Sequence, residues 1–537
     1  MIPRQEPAFS PGSRRASLER LRTELFDVLI LGGGINGAGI ARDLALRARQ
    51  AGTPLRIGLV EQRHFASGTS GKNSQLIHGG LRYLKQLEFG LVREALEERA
   101  TLLRIAPHLV EPLPFLIPFY GWGARVYYGT GLMLYDWLAG RRNVGKRRFL
   151  YRKQVRRLEP ALDGDGLTSA GIYFDCRVNA ARFVLENLFD AARDGAIVAN
   201  YTKAGEVTRD GGQFRVRLAD QLGGETFEAR ARKVVDTTGP WQSASKLRLV
   251  RGSHLVFSKV SASSYAIAHF AEDGRIIFVI PWGPGDSLSL AGTTDCDHAG
   301  GPDDVRISAD EIRYLVGILR RLFPQAAPLQ PLAAYSSLRP LLRSEAASAT
   351  KTSREHRIWN SPDGILRVAG GKYTTYRKMS EEAAEAVVRE VAPRLQGIWL
   401  TAETPLGGNT RAEFFQLMAA SEELSRAHSL EEAEVRCLIR NYGLLAPAVL
   451  KHLPPRPPEG VSRIEAAVTS FSIDHELVQR LPDLLFVSTY WGYERRWDAA
   501  GLRRLAAVMA ARLGWDEPRI EEEARLTRRI LQIPEWD

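Results

Sequence analysis

Three cysteines are all that this 537-residue chain contains, and Cys176, Cys296 and Cys437 stand far apart with no C-x-x-C pair. That scarcity excludes a disulfide framework, a thiolate zinc site and an iron–sulfur cluster carried on the chain, and it suits a reducing compartment. No metal site is expected, so electrons handled here leave through an organic cofactor or a partner. Also missing is any unbroken apolar run of the ~18 residues that a spanning helix needs. The most apolar segment, residues 111–140, is interrupted by prolines, glycines and Arg125. The opening MIPRQEPAFSPGSRRASLERL lacks the apolar centre of a secretion signal, and residues 1–24 read as a loose polar tail. Internal repeats and low-complexity tracts are absent. No nucleic-acid-binding module signature occurs either, so the net charge of +11 favours other anions, phosphorylated substrates or anionic lipid.

What is present is ordinary in bulk: 44% hydrophobic and 25% charged residues, on a chain long enough for two or three domains. The informative stretch is FDVLILGGGINGAGIARDLALRA, residues 26–48. An apolar run reads as a buried parallel strand, and a helical pattern follows three spaced glycines. Gly32 suits the tight turn, Gly34 lets backbone approach a pyrophosphate, and Gly37 lets the helix pack on the strand. The helix N-terminus then offers free N–H groups to the anion. A second apolar run, LRIGLVEQR, ends in Glu61, an acid placed to accept hydrogen bonds from a ribose. Together they predict a dinucleotide site without distinguishing NAD from FAD.

Elements alternate from residue 26 to about 110, and EFGLVREALEERATLLRIAP predicts an amphipathic helix closed by Pro107. Residues 200–300 read as strands punctuated by turns. GILRVAGGKYTTYRKMSEEAAEAVVREVA repeats the order strand, Gly-Gly turn, helix. Beyond PLGGNT the chain is mostly helical, with a break at PPRPPEG (454–460). The expected fold is α/β: a discontinuous Rossmann-like nucleotide domain over 25–400 carrying an inserted antiparallel sheet, then a helical C-terminal domain over 401–537.

Further motifs recur in order: TSGKNSQLIHGGLRYL (69–84), VVDTTGPW (234–241), PWGPGDSLSLAGTTD (281–295), SLRPLLR and GGKYTTYRK. With GGGINGAGIA they make the chain resemble the FAD-dependent glycerol-3-phosphate dehydrogenases, of the D-amino-acid-oxidase-like flavoprotein class. The resemblance covers residues 26–400 strongly and the remainder more weakly, through RCLIRNYG. It implies FAD, and oxidation of sn-glycerol 3-phosphate to dihydroxyacetone phosphate by hydride transfer, with electrons passed to membrane quinone. It also implies a cytoplasmic protein lying peripherally on the inner face of the cytoplasmic membrane, with a homodimer as one open arrangement. An oxidase that passes electrons to oxygen shares nearly every motif and stays open. So does a flavin- or membrane-binding protein without this activity.

Residue by residue, the resemblance places substrate contacts at Arg82, Tyr83 and Arg354, and catalytic groups at His254, Arg339 and Lys372. It places cofactor contacts at Gly32, Gly34, Ile35, Asn36, Gly37, Glu61, Thr69, Ser70, Ser74 and Leu76. The remaining cofactor contacts are His78, Gly79, Gly80, Gly239, Gly371 and Thr374. The chemistry agrees in kind, because a phosphomonoester near two negative charges needs several fixed cations, preferably forked arginines. His254 is in the right range for a base or base-orienter, and Arg339 for polarising the substrate oxygen. Lys372 precedes a helix, where a cation is locally disfavoured, so an anion should lie nearby. Three departures from the family pattern stand out: Gln75 for Lys, Asp236-Thr237 for Asn-Ala, and Val487-Ser488-Thr489 for Arg-Arg-Thr, followed by YWGYERRW. Finally, nine of the seventeen residues 141–157 are basic. Beside them Phe115, Phe119, Trp122, Tyr127, Tyr128 and Trp137 are expected at a headgroup interface on an anionic membrane surface.

Overall fold

The computed structural model describes residues 9–162, 166–242, 247–326, 328–342 and 356–536. Two sheets organise it. The first runs in the order His356–Asn360, Leu366–Gly370, Thr226–Asp236, Leu25–Leu31, Ile57–Val60, Ile197–Ala199. Its central neighbours are parallel. Val28, Leu29, Ile30, Leu59, Val234 and Val235 are buried, which is why these strands read as continuous apolar runs instead of alternating ones. The helices Ile35–Ala51, Ala180–Arg193 and Tyr376–Val391 pack together beside this sheet. A hairpin, Thr202–Asp210 and Gln213–Asp220, extends Thr226–Asp236 in antiparallel register. Part of the 200–300 strand region therefore belongs to the nucleotide sheet.

The second sheet is mainly antiparallel, ordered Cys296–Asp297, Leu247–Ser258, Leu288–Gly292, Ile276–Trp282, Ala266–Phe270, Val110–Tyr120, Leu167–Val178, Leu76–Ile77. Ala333–Leu342 pairs along Leu247–Ser258 and sets His254 opposite Tyr335 and Val250 opposite Arg339. Val110–Tyr120 contains Pro112, Pro114 and Pro118 yet pairs with Leu167–Val178 almost throughout. All three occupy even positions, so their missing N–H groups share one edge. On that edge only Phe115 and Leu116 pair with Ala266–Phe270. The helices from Arg411–Ala419 to Glu517–Leu531 form the C-terminal region, which touches helix Ala180–Arg193 and strand Ala333–Leu342.

Two expectations need correction. The N-terminal stretch is no loose tail over its described part: Pro11–Thr23 is a helix with Ser10 as N-cap and Ser13 closing the capping box. Phe9 and Leu21 are buried, and Arg14 reaches Asp220 at 2.5 Å and the carbonyl of Asn200 at 3.1 Å. The missed signal was the Ser10-x-x-Ser13 capping pattern with Pro11 at the first helical position. The aromatic segment also divides. Phe115 and Phe119 sit in Val110–Tyr120 with no exposure, and Tyr128 stacks on Phe270 with ring centres 4.2 Å apart. Only Trp122, Tyr127 and Trp137 of the six lie exposed, on helix Trp122–Ala139. No helix among the described residues is long and apolar enough to cross a membrane.

Candidate functional site

One cavity of about 570 Å3 runs between the two sheets, from Glu61 and Thr202 at one end to His254, Arg339 and Lys372 at the other. Its first end is the glycine turn. Leu25–Leu31 stops at Gly32, whose φ of 105° only glycine adopts freely, and helix Ile35–Ala51 starts behind N-cap Gly34 with no side-chain cap. A Cβ on Gly37 would strike the Gly32 carbonyl and lie 2.7 Å from Thr237 Oγ1. The helix therefore seats directly on the turn with its N-terminus, Gly34 to Asn36, lining the cavity, where the dipole end suits a pyrophosphate. Ser70 Oγ accepts the Ile35 N–H at 2.9 Å.

Glu61 closes this end. Its carboxylate accepts the Gly33 N–H at 2.7 Å and the Arg63 N–H at 3.0 Å, while burial pushes its carboxyl up from the ordinary range. Asp236 and Thr237, two of the departing positions, spend their side chains on the neighbouring turn. Asp236 accepts from the Thr238 N–H and hydroxyl and pairs with Arg367 at 2.7 Å, and Thr237 Oγ1 donates to the Leu31 carbonyl. These residues fit a dinucleotide: backbone donors at a glycine turn, an acid beside them, and a long groove leading away.

The middle of the cavity is built by the loop 64–80. Thr69 Oγ1 donates to the Leu338 carbonyl at 2.5 Å, and Thr374 Oγ1 accepts the His78 N–H at 3.1 Å. Gly79 donates to Tyr135 OH at 2.9 Å and lies 3.3 Å from Asp175 Oδ1. Beneath that turn Asp175 pairs with Arg99 at 2.6 Å in a fully buried cluster, and burial raises its carboxyl pKa. Gly80 has φ of 82°, turning the chain into Leu81–Gln86, where Tyr83 lies buried with its ring 3.7 Å from Lys372 Nζ.

At the far end the cations and the histidine converge. His254 is 2% exposed; Ser74 Oγ lies 2.9 Å from its Nε2, and Tyr335 stacks on the ring at 5.0 Å. Nδ1 is buried with no partner among the described residues. Burial, and then the Arg339 charge, hold its pKa down to about 3, well below the range expected of it from the sequence, so the imidazole is neutral at any ordinary pH but a weaker base than expected. Arg339 is anchored to Asp295, to the Thr294 carbonyl at 3.1 Å and to Thr293 Oγ1 at 2.8 Å. Both side chains lie over glycines. A Cβ on Gly252 would sit 2.6 Å from the Arg339 guanidinium carbon, and one on Gly292 2.9 Å from His254 Cγ.

Of the residues expected from sequence, His254, Arg339, Lys372, Tyr83, Gly32, Gly34, Ile35, Asn36, Glu61, Thr69, Ser70 and Ser74 line this cavity. So do Leu76, His78, Gly80, Gly239, Gly371 and Thr374. Gly37 and Gly79 do not; they act through close packing and through the turn. Arg354 and the side chain of Arg82 lie outside the described residues. Sequence reasoning missed Lys72, which lines the cavity and whose pKa burial and the nearby Arg63 charge lower to about 8. It also missed Asp295, although both stand inside quoted motifs. The Asp175–Arg99–Tyr135 support has no sequence signal, because its members are scattered along the chain.

Two family models match the chain: FAD dependent oxidoreductase over residues 27–377, and the C-terminal domain of alpha-glycerophosphate oxidase over residues 399–520. Glycerol-3-phosphate dehydrogenase 2 of Mycobacterium tuberculosis is 35% identical across 99% of this chain and 93% of that protein. The aerobic glycerol-3-phosphate dehydrogenase of Bacillus subtilis is 30% identical across 95% of each. Among solved structures, the glycerol-3-phosphate dehydrogenase from Bacillus halodurans complexed with FAD superposes with a TM-score of 0.79. Its identity is 25%, over 97% of this chain and 98% of that one.

Proposed function

We propose a reaction on the premise that this chain belongs to the FAD dependent oxidoreductase family and, within it, to the glycerol-3-phosphate dehydrogenases. It oxidises sn-glycerol 3-phosphate to dihydroxyacetone phosphate with FAD. The observation that carries this reading is the cavity itself, a dinucleotide cradle at one end and His254, Arg339 and Lys372 lining the other. Bound FAD supplies the two-electron acceptor. His254 takes the substrate's hydroxyl proton at Nε2, the nitrogen that Ser74 Oγ meets at 2.9 Å, because Nδ1 is buried, and its ring is backed by Gly292. Arg339, held by Asp295 and Thr293, polarises the oxygen that loses that proton. Lys372 opposes the negative charge that develops, from the N-terminal side of Tyr373–Thr375. Arg82 and Arg354 are assigned to the phosphate on their sequence motifs.

The acceptor beyond the flavin is membrane quinone on this reading, reached from the inner face of the cytoplasmic membrane. Helix Trp122–Ala139 supports it by exposing Trp122, Val126, Met133 and Trp137, which helical spacing places on one stripe. Arg141, Arg142, Lys146, Arg148, Arg152 and Lys153 follow it, all exposed. Near an anionic surface each basic residue contributes about 1 kcal/mol, so a few engaged together hold the protein. Arg147 is a weaker member because it pairs with Asp136 at 2.9 Å. Anaerobic bleaching of the flavin by a panel of phosphorylated and unphosphorylated polyols tests the substrate, and bleaching by glycerol as fast as by its phosphate overturns it. Peroxide yield against quinone-analogue reduction decides the acceptor. Flotation with anionic vesicles, lost on neutralising Arg148, Arg152 and Lys153, tests the surface.

A further inference from the structure

Gln75, one departure from the family pattern, and Tyr490, which directly follows another at Val487-Ser488-Thr489, are far apart in sequence and touch in the fold. Tyr490 is buried at the start of Trp491–Glu494, with a left-handed backbone (φ 65°) that a ring-bearing residue keeps only under tight packing. Its hydroxyl donates to the Gly71 carbonyl at 3.0 Å and accepts the Ala181 N–H at 3.0 Å. Gln75 Oε1 lies 3.3 Å from the same hydroxyl and accepts the Ala180 N–H at 2.9 Å, and its Nε2 also donates to Gly71 O. A residue of the C-terminal region is thereby fastened to one end of the loop that carries Ser74.

A second contact closes the arrangement. Tyr493, three residues on, packs its ring 4.9 Å from Tyr335, and Tyr335 in turn stacks on His254. Tyr335 also donates to the Asn73 carbonyl at 2.7 Å, and Ser337 Oγ to the Lys72 carbonyl at 2.6 Å. The carbonyls of Gly71, Lys72 and Asn73 are each capped from another element, and Ser74 is the next residue, with its hydroxyl 2.9 Å from His254 Nε2.

We propose that the C-terminal region is a positioning device for His254, with Tyr490 holding the 71–75 loop and Tyr493 backing Tyr335 so that Ser74 and the imidazole keep one geometry. The proposal rests on the reading of His254 as the base. Neither tyrosine lines the cavity, so both act through other residues. A loop freed at Gly71 lets Ser74 drift from Nε2, and the cost falls on proton transfer while substrate binding by the cations is spared.

The test compares Tyr490→Phe with the parent, using glycerol 3-phosphate and a dye acceptor and counting only flavin-loaded enzyme. Loss of one well-made hydrogen bond should lower kcat about tenfold, with KM changed less than about twofold and FAD content unaltered. Tyr493→Leu should move kcat in the same direction. In a His254→Asn background Tyr490→Phe should add nothing, because its effect runs through that ring. If Tyr490→Phe does not fold, Gln75→Met cuts the same junction from the loop side and reads the same split. Unchanged kcat in Tyr490→Phe while His254→Asn is slow overturns the positioning role alone. An equal, additive loss in the His254→Asn background overturns it as well. A His254→Asn enzyme with parental kcat removes the base reading, and the positioning role with it.

Discussion

Replacing Gly252 by alanine tests the substrate end without touching any residue assigned to chemistry. Gly252 lies in Leu247–Ser258, buried, with no left-handed φ, so alanine suits its backbone and removes unfolded-state entropy worth ~0.4–1 kcal/mol. The new Cβ would stand 2.6 Å from Arg339 Cζ and 2.8 Å from Nη1. Because these atoms end a flexible side chain, the guanidinium moves and the strand stays. Moving it breaks the bonds to Asp295, Thr294 and Thr293, and leaves buried Asp295 under-satisfied at a cost of ~1–3 kcal/mol. Net destabilisation should then be at most about 2.5 kcal/mol. A charge-assisted hydrogen bond to the reacting oxygen is worth ~1.5–3 kcal/mol, so kcat/KM should fall about 10- to 150-fold. Thermal melting and dye-linked oxidation of glycerol 3-phosphate per bound flavin measure the two effects separately. Parental kcat/KM in the Gly252→Ala enzyme would refute the claim that Arg339 acts from this position. Gly292→Ala is the contrasting case: its Cβ meets His254 Cγ at 2.9 Å in a ring with no room to yield, so stability and activity should fall together.

Glu61→Ala should weaken FAD retention, seen as flavin lost on gel filtration, because Glu61 both fixes Gly33 at 2.7 Å and lines the cavity; stoichiometric flavin after the change argues against this end as the ribose site. Arg82→Ala and Arg354→Ala should each raise KM roughly tenfold or more, and an unchanged preference for phosphorylated over free glycerol in both would place the phosphate elsewhere. His254, held near 3, should give kcat/KM no acid limb between about pH 5 and 7; a limb there should track the second ionisation of the substrate phosphate, near 6. The same depression means that the folded state binds fewer protons than the unfolded one below the ordinary value of 6.5. The stability this residue contributes above 6.5 is lost as pH falls toward about 3, and comparing pH-dependent melting of His254→Asn with the parent isolates it.

Much of the dinucleotide end was legible in sequence because its chemistry is local. A strand, a glycine turn and a helix follow one another within 27 residues, Leu25 to Ala51, and Glu61 ends the next strand. The substrate end was legible only through resemblance. His254, Arg339 and Lys372 come from three elements, and nothing in the local pattern of Leu247–Ser258 distinguishes His254 from a packed core histidine. The helix Pro11–Thr23 was missed because polar composition outweighed its capping box, although its anchors, Asp220 and Asn200, lie about two hundred residues away. The strand Val110–Tyr120 was obscured by three prolines that demand a sparsely paired edge, a property of the sheet and not of the segment.

The same long-range logic limits the bilayer contact proposed above. Helix Trp122–Ala139 presents Trp122, Val126, Met133 and Trp137 outward, but its other face is committed. Tyr135 is buried, its hydroxyl donates to Asp175 at 2.7 Å, and the same oxygen accepts the N–H of Gly79 in the turn leading to Tyr83. Leu132 and Ala139 are buried on that face too. Sinking the whole helix into lipid would strip Asp175 of a partner and unseat the Gly79–Gly80 turn beside Lys372. That loss falls on a buried charge, which is costly when left unpaired. On the membrane contact proposed above, lipid would therefore reach only side-chain depth on the outer stripe, with the neighbouring arginines and lysines at the headgroups.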